Sequence, residues 1–166
     1  MVVSETPGSG QIKPIPERAV PAEKKKKLSE RHKARRMILQ ALYQWQLARA
    51  PVSEIQAEFR AYYQGKIDWE FFIEVFPAVV SSVGQLDEMM RPMLDRAVES
   101  LDPVELSLLR MGLYELQHRI DVPYKVVINE TVELAKVFGA AESHKYINGI
   151  LDRAAKTLRA LEQRPL

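Results

Sequence analysis

Helical periodicity is the sequence feature that most limits the fold of this chain. From Ser29 onward, apolar residues recur at helical spacing, as in the stretches 34–45 and 106–116. This spacing places apolar side chains on one face of an α-helix, whereas a half-buried strand requires strict alternation. The stretch VVIN at 126–129 is a weak competitor for a strand. The chain is therefore predicted to be all-α, with about six or seven helices.

Local signals predict where the first helices begin and end. The first helix is predicted over about Ser29–Arg49, because Pro51 follows it. A short second helix should precede a third, which Asp68 is placed to cap. The third is predicted to be a long central helix that bends or breaks at Pro77 or Pro92, since proline removes a backbone donor.

The second half of the chain contains the clearest helix start, in the sequence LDPVE. Asp102 is predicted as the N-cap and Pro103 as the first helical residue. A further helix is predicted from DVPYK to Phe138, where Gly139 suits the position after a helix end. The last predicted helix begins at Ser143.

The N-terminal residues 1–28 differ from the rest of the chain. They are rich in Pro, Gly, Ser, Glu and Lys, and four prolines interrupt any helical period. We expect a disordered basic tail there and a helical domain over 29–166. The tail lacks the apolar segment of a secretory signal, no run is long enough to cross a membrane, and the chain has no cysteine. These features predict a cytoplasmic protein without a membrane or disulfide role.

Charge is concentrated in one short segment. Residues 24–36 contain eight lysine and arginine residues and one acidic residue, whereas residues 37–166 contain 14 basic and 18 acidic residues. A basic segment on a mildly acidic body favours localised binding of a polyanion.

Residues suited to catalysis do not cluster in the sequence. His32, His118 and His144 show no metal-ligand spacing, and no nucleophile elbow or phosphate-binding glycine loop occurs. Glu130 and Glu133 share a helix face, but a solvated face explains them better than an acid–base pair. We therefore expect no enzyme activity, no metal and no cofactor.

The first predicted helix has two distinct faces. One carries apolar residues, namely Ile38, Leu42 and Trp45. The other carries Arg36, Gln40, Tyr43 and Leu47. Cations that meet phosphates and a ring that stacks on a base are typical of single-stranded nucleic-acid binding. Equally, the lysines could only solubilise the chain and Tyr43 could be an ordinary surface residue, so the composition of this helix leaves both interpretations open.

Three stretches carry a family resemblance: LQALYQWQL, LLRMGLYELQHRIDVPYKVVINETVELAKVFG and ESHKYINGILDRAA. Together they resemble the NusB family of bacterial transcription antitermination factors, from about Arg31 to Ala155. The resemblance implies an all-helical fold of two small bundles without catalysis. It also implies binding of the single-stranded boxA element of ribosomal RNA transcripts, with NusE, a protein of the small ribosomal subunit, as a partner in an RNA polymerase antitermination complex.

The resemblance also assigns site residues. RNA contacts are implied at Arg31, Lys33, Arg35, Tyr43 and, toward the other end of the RNA surface, at Tyr124, Lys125 and Glu142. Glu105 matches an acidic position at the NusE interface. Two departures predict a locally different RNA path: Met93 stands where some relatives have a tyrosine, and Arg36 replaces a common acid. The lysine-bearing tail is expected to compensate in part.

Two alternatives from other classes remain at this point. The same helical domain occurs attached to RNA cytosine methyltransferases, although this sequence shows no methyltransferase domain or cofactor loop. A helical adaptor that binds only proteins is the other alternative. Monomer and homodimer are both compatible with the sequence.

Overall fold

The computed structural model describes residues 13–16 and 30–165. Within these ranges the chain forms seven α-helices and two short 3-10 turns, at Arg91–Met93 and Val98–Ser100, and no strand. The helices are α1 (Glu30–Ala48), α2 (Val52–Tyr62), α3 (Trp69–Ser81), α4 (Val83–Met90), α5 (Pro103–His118), α6 (Tyr124–Phe138) and α7 (Ser143–Leu158). The all-α prediction is confirmed. No described helix combines the length and apolar character needed to span a bilayer.

Capping side chains begin two helices where the sequence predicts. The Asp68 carboxylate accepts a hydrogen bond from the Phe71 amide at 3.0 Å and so begins α3. The Asp102 carboxylate accepts from the Val104 amide at 2.8 Å at the start of α5. These bonds satisfy amides that have no partner within the helix, which is why short polar residues mark both starts.

The predicted break of the central helix lies at a different residue. Neither proline interrupts an element, because Pro77 lies within α3 and Pro92 lies in a 3-10 turn after α4. The break occurs at Ser82, whose amide donates to the Val79 carbonyl at 3.0 Å in a tightened last turn. The Ser81 hydroxyl meanwhile donates to the Pro77 carbonyl at 3.0 Å, and such back-bonding bends helices. The helix thus breaks at Ser82, which was not predicted, and the α-helical segment ends at Met90, after which the 3-10 turn that contains Pro92 begins.

The helices pack as two small bundles, as the family resemblance implies. Helices α1, α2 and α3 pack together, α5, α6 and α7 form the second bundle, and α1 lies against α5. Gly112 lies where the second bundle is tightest. A Cβ atom there would lie 3.0 Å from Leu151 of α7 and 3.3 Å from the Thr131 hydroxyl of α6. The glycine thus lets three helices approach closely.

A buried ion pair joins the two bundles. Arg35 on α1 is 2% exposed and Glu115 on α5 is 0% exposed. The guanidinium donates through Nε to Oε2 at 3.0 Å and through Nη2 to Oε1 at 2.8 Å. The guanidinium also lies 5.1 Å from the centroid of the Phe71 ring on α3. The bidentate geometry compensates both charges, so neither group remains buried without a partner.

Arg159, just after α7, binds the C-terminal end of α5. Its buried guanidinium donates to carbonyl oxygens at the α5 C-terminus and in the following loop, those of Glu115, Leu116, Arg119 and Val122. The last carbonyls of a helix have no partner within it, and a cation also suits the negative end of the helix dipole. Arg159 therefore fixes the loop that leads into α6.

We predict that Glu115→Ala lowers the free energy of unfolding by about 3–5 kcal/mol, because it removes both hydrogen bonds of the buried Arg35 guanidinium and leaves it only the longer contact to Glu130. Glu133→Ala is the matched control, since Glu133 forms an exposed pair with Lys136, and it should cost less than about 1 kcal/mol. Urea denaturation of both variants measures the difference. Equal costs would show that the buried pair does not hold the bundles together.

Candidate nucleic-acid interface

The first turn of α1 presents a held cation beside an exposed helix face. Arg31 donates through Nε to the Asp68 carboxylate at 3.1 Å, and its guanidinium lies 4.6 Å from the centroid of the Phe71 ring. These contacts fix the side chain while part of it stays accessible. Lys33 is half-buried, two residues further along the helix. The arrangement places positive charge at the start of α1, where it can meet phosphate groups.

Further along α1, Tyr43 provides an aromatic surface. Its ring packs against the hydrophobic core and is half-buried. Leu47, one turn further, is among the exposed large apolar side chains. A ring supported on one side and accessible on the other suits stacking by an unpaired base.

Arg36 lies between these positions and connects α1 to its surroundings. Its guanidinium lies 5.5 Å from the centroid of the Phe138 ring at the end of α6. Its charge also acts on Tyr63, the residue that follows α2. Burial raises the pKa of the Tyr63 phenol, and the positive charge of Arg36 opposes that rise. Arg36 is half-buried, so its charge lies at the edge of the accessible side of α1.

Gln40 does not display its amide at the surface as the helical wheel predicts. It is 9% exposed. Its Oε1 accepts a hydrogen bond from the Ile15 amide at 3.0 Å, and its Nε2 donates to the Ile15 carbonyl at 3.4 Å. The reason is that the N-terminal segment returns to cover this part of α1. Ile15, within the predicted tail, is 4% exposed and part of the hydrophobic core.

Arg35 is also absent from the exposed face, because it forms the buried pair with Glu115. The resemblance implies RNA contact at this residue, but its guanidinium is enclosed between the two bundles. Of the four α1 residues implied by the resemblance, the structure leaves Arg31, Lys33 and Tyr43 accessible and places Arg35 in the core.

Glu130 of α6 belongs to the ionic network of Arg35 and Glu115. The sequence predicts a solvated position for it instead. Its carboxylate contacts Nδ1 of His32 and lies 3.7 Å from Nη1 of Arg35. Burial raises the pKa of Glu130, but the hydrogen bond and charge of His32 and the charge of Arg35 outweigh it, so the net pKa is lowered. No local pattern reveals this partnership, because the paired groups lie far apart in the sequence.

The second set of predicted RNA residues lies at the two ends of α6. Tyr124 and Lys125 begin the helix, where the Tyr124 amide donates to the Glu162 carboxylate at 2.8 Å. Glu142 follows the other end and pairs with Lys145 at 3.0 Å, which lowers its pKa. Fourteen helical rises separate Tyr124 from Phe138, or roughly 21 Å. The structure therefore does not bring Tyr124 and Glu142 together.

Glu105 occupies a separate site in the second bundle. Its Oε2 accepts a hydrogen bond from the Ser143 hydroxyl at 2.7 Å, which links the first turn of α5 to the start of α7. The phenol of Tyr146, also on α7, donates to Asp95 at 2.9 Å, and the Arg96 guanidinium lies over its ring. Glu105 is half-buried, so its carboxylate has both an internal partner and an accessible side.

The accessible side chains of α1 provide positive charge and an aromatic ring. Across residues 13–16 and 30–165, no group of three or more histidine, aspartate or glutamate side chains is arranged to hold a metal ion. The accessible α1 residues, Arg31, Lys33 and Tyr43, are of the types that can bind phosphates and stack on bases.

Comparison with known proteins gives a consistent result. The model of the NusB family matches residues 32–156. A protein of Alcanivorax borkumensis named transcription antitermination protein NusB is 55% identical over 141 residues, which cover 82% of this chain and 94% of the relative. The structure of T. maritima NusB superposes with a TM-score of 0.69 at 28% identity, covering 79% of this chain and 93% of the other. A structure of NusB and NusE in complex with dsRNA shares the fold, with a TM-score of 0.69, 23% identity and coverage of 76% and 96%.

The lowered pKa of Glu130 yields a pH-dependent prediction. A carboxylate whose pKa is lower when folded contributes stability above its unfolded pKa, and this stability is lost as the pH falls through the folded pKa. Glu130→Gln should therefore be less stable than the parent at about pH 7, and the difference should shrink below about pH 4. Urea denaturation across this range tests the point. A difference that stays constant with pH would show that the Glu130 charge contributes nothing.

Proposed function

This chain belongs to the NusB family, and from that membership we propose that it is a transcription antitermination factor that binds single-stranded boxA RNA of ribosomal RNA transcripts together with NusE. The observation that carries the proposal is the family match over residues 32–156, which includes nearly all of the helical structure. The relative from Alcanivorax borkumensis is named as a transcription antitermination protein.

The proposed RNA surface consists of accessible side chains along α1; Arg31 and Lys33, two residues apart, project from different sides of its first turn. Arg31 and Lys33 meet phosphates, and Tyr43 stacks on a base. Arg36 contributes from the edge of this surface. Arg35 is assigned to the fold, since its guanidinium already pairs across the bundle junction with Glu115 and lies 3.7 Å from Glu130.

Tyr124, Lys125 and Glu142 form the outer part of the proposed surface. Lys125 is exposed at the start of α6 and provides a cation for phosphate. Because Glu142 is an exposed carboxylate, it accepts hydrogen bonds from base amino groups rather than binding phosphates. The RNA would have to extend along α6, a distance of roughly 21 Å, to reach both ends.

Glu105 marks the proposed NusE surface. A NusB and NusE complex exists among the structures that share this fold. The internal bond from Ser143 orients the carboxylate, and a cationic partner group could approach its accessible side. The protein is then a regulatory subunit of an RNA polymerase antitermination complex in the cytoplasm, without catalysis of its own.

We predict that Tyr43→Ala weakens boxA binding by about 1–3 kcal/mol, because one stacked base loses its platform. The salt dependence should hardly change, since no ionic contact is removed. Tyr146→Ala is the matched control, as it removes a half-buried tyrosine from α7, where it bonds to Asp95. Titration of labelled boxA and scrambled RNA at several salt concentrations, with a thermal melt, gives the answer. Unchanged boxA affinity of the Tyr43 variant would refute stacking there.

Glu105 offers a test of the partner surface. Glu105→Lys should weaken NusE binding by at least tenfold, or about 1.4 kcal/mol, because it reverses the charge that faces the partner. Ser143→Ala removes only the internal bond, and Glu133→Lys makes the same reversal on an exposed part of α6. Calorimetric titration with NusE compares the three variants. If Glu105→Lys binds NusE with the affinity of the parent, or with the same affinity as Glu133→Lys, then Glu105 serves only the fold.

A further inference from the structure

The N-terminal segment Lys13–Pro16, here called the strap, docks on α1. Ile15 is buried while Lys13, Pro14 and Pro16 on either side are exposed. Proline fixes its own φ and biases the preceding residue toward extended backbone, so the two prolines hold Ile15 in a shape that loses little entropy on docking. One apolar side chain between two prolines is thus a small, pre-shaped docking element.

Gln40 is the residue that receives the strap. Its Oε1 accepts from the Ile15 amide and its Nε2 donates to the Ile15 carbonyl, so both side-chain polar atoms of Gln40 bond to the backbone of one residue. Gln40 follows Arg36 by four residues and precedes Tyr43 by three, and residues at these spacings share one side of a helix. The strap therefore covers the middle of the face that carries Arg36 and Tyr43.

A primary amide that pairs with a peptide unit can also pair with a nucleobase. Both present a donor beside an acceptor, and the glutamine amide matches either one. Unpaired bases of single-stranded RNA are recognised by such hydrogen bonds and by stacking. Gln40 and Tyr43 would together suit a stacked and hydrogen-bonded base, but the edge of the Gln40 amide that pairs with Ile15 cannot pair with a base at the same time.

We propose that the strap is an autoinhibitory cover of the RNA surface, which single-stranded RNA displaces from Gln40 when it binds. This inference rests on the proposed function. The docked strap is held by one buried isoleucine and two neutral hydrogen bonds. Such hydrogen bonds contribute little net free energy, so a ligand can open this closed state. Only molecules with an open strap bind RNA, so the apparent RNA affinity is the intrinsic affinity multiplied by the fraction of open molecules.

The test is Ile15→Ser in the full chain. Serine removes the buried apolar group and adds no charge, so the strap should release and boxA RNA should bind roughly tenfold more tightly. Leu161→Ser is the matched control, because Leu161 is 79% exposed near the C-terminus, and it should leave the affinity unchanged. Thermal melts check that both variants are folded.

A second measurement follows the strap itself. The chain contains no cysteine, so Lys13→Cys provides one attachment point for a spin label on an exposed strap residue. We expect the label to be restricted in the free protein and mobile when saturating boxA RNA is added. Introducing Ile15→Ser should make the label mobile without RNA.

Each outcome separates the two proposals. If the parent binds boxA RNA and Ile15→Ser binds with the same affinity, or the label stays restricted with RNA bound, autoinhibition is overturned and the proposed function stands. Weaker binding by Ile15→Ser overturns it as well, because the strap would then be part of the RNA surface. If neither the parent nor Ile15→Ser binds boxA RNA, both proposals fail. Binding by Ile15→Ser alone supports both.

Discussion

The ion pair between Arg35 and Glu115 is the interaction on which the arrangement of the two bundles depends. It connects α1 to α5, and its neighbours Phe71 and Glu130 add α3 and α6 to the same junction. A charge removed from water is tolerated only with nearly ideal partners, so this network permits few other positions of α1. The orientation of every other side chain on α1 follows from this placement.

One consequence is a division of roles within the basic segment. A run of lysines and arginines next to an amphipathic helix appears uniform in sequence, but the fold uses its members differently. Arg35 points inward to Glu115, and His32 contacts Glu130. Arg31 is held by Asp68 at an accessible position, which leaves it available to phosphates. The segment is both cationic and amphipathic because part of its charge holds the bundles together and part faces the proposed RNA.

The sequence predicts local features well and long-range partnerships poorly. Asp68 and Asp102 act within a few residues, so their caps and the all-helical fold could be deduced from spacing alone. The partner of Arg35 lies 80 residues away, and that of Gln40 lies 25 residues away. A helical wheel cannot show that a distant segment returns to cover Gln40. Ile15 was the available signal, as an apolar residue between two prolines. The site residues Tyr124, Lys125, Glu142 and Glu105 came from the resemblance, since their composition and spacing carried no signal of their own.

The most direct test of this account is the boxA affinity of the double variant Arg35→Met, Glu115→Leu. Replacing both members of a buried pair by apolar residues of similar size is often neutral for stability, so the fold should persist. If Arg35 serves only the junction between the bundles, the folded double variant should bind boxA RNA within about twofold of the parent, because neither replaced side chain would contact the RNA. A loss of more than about tenfold, or 1.4 kcal/mol, in a variant with an unchanged circular dichroism spectrum and melt would contradict the account and place Arg35 on the RNA.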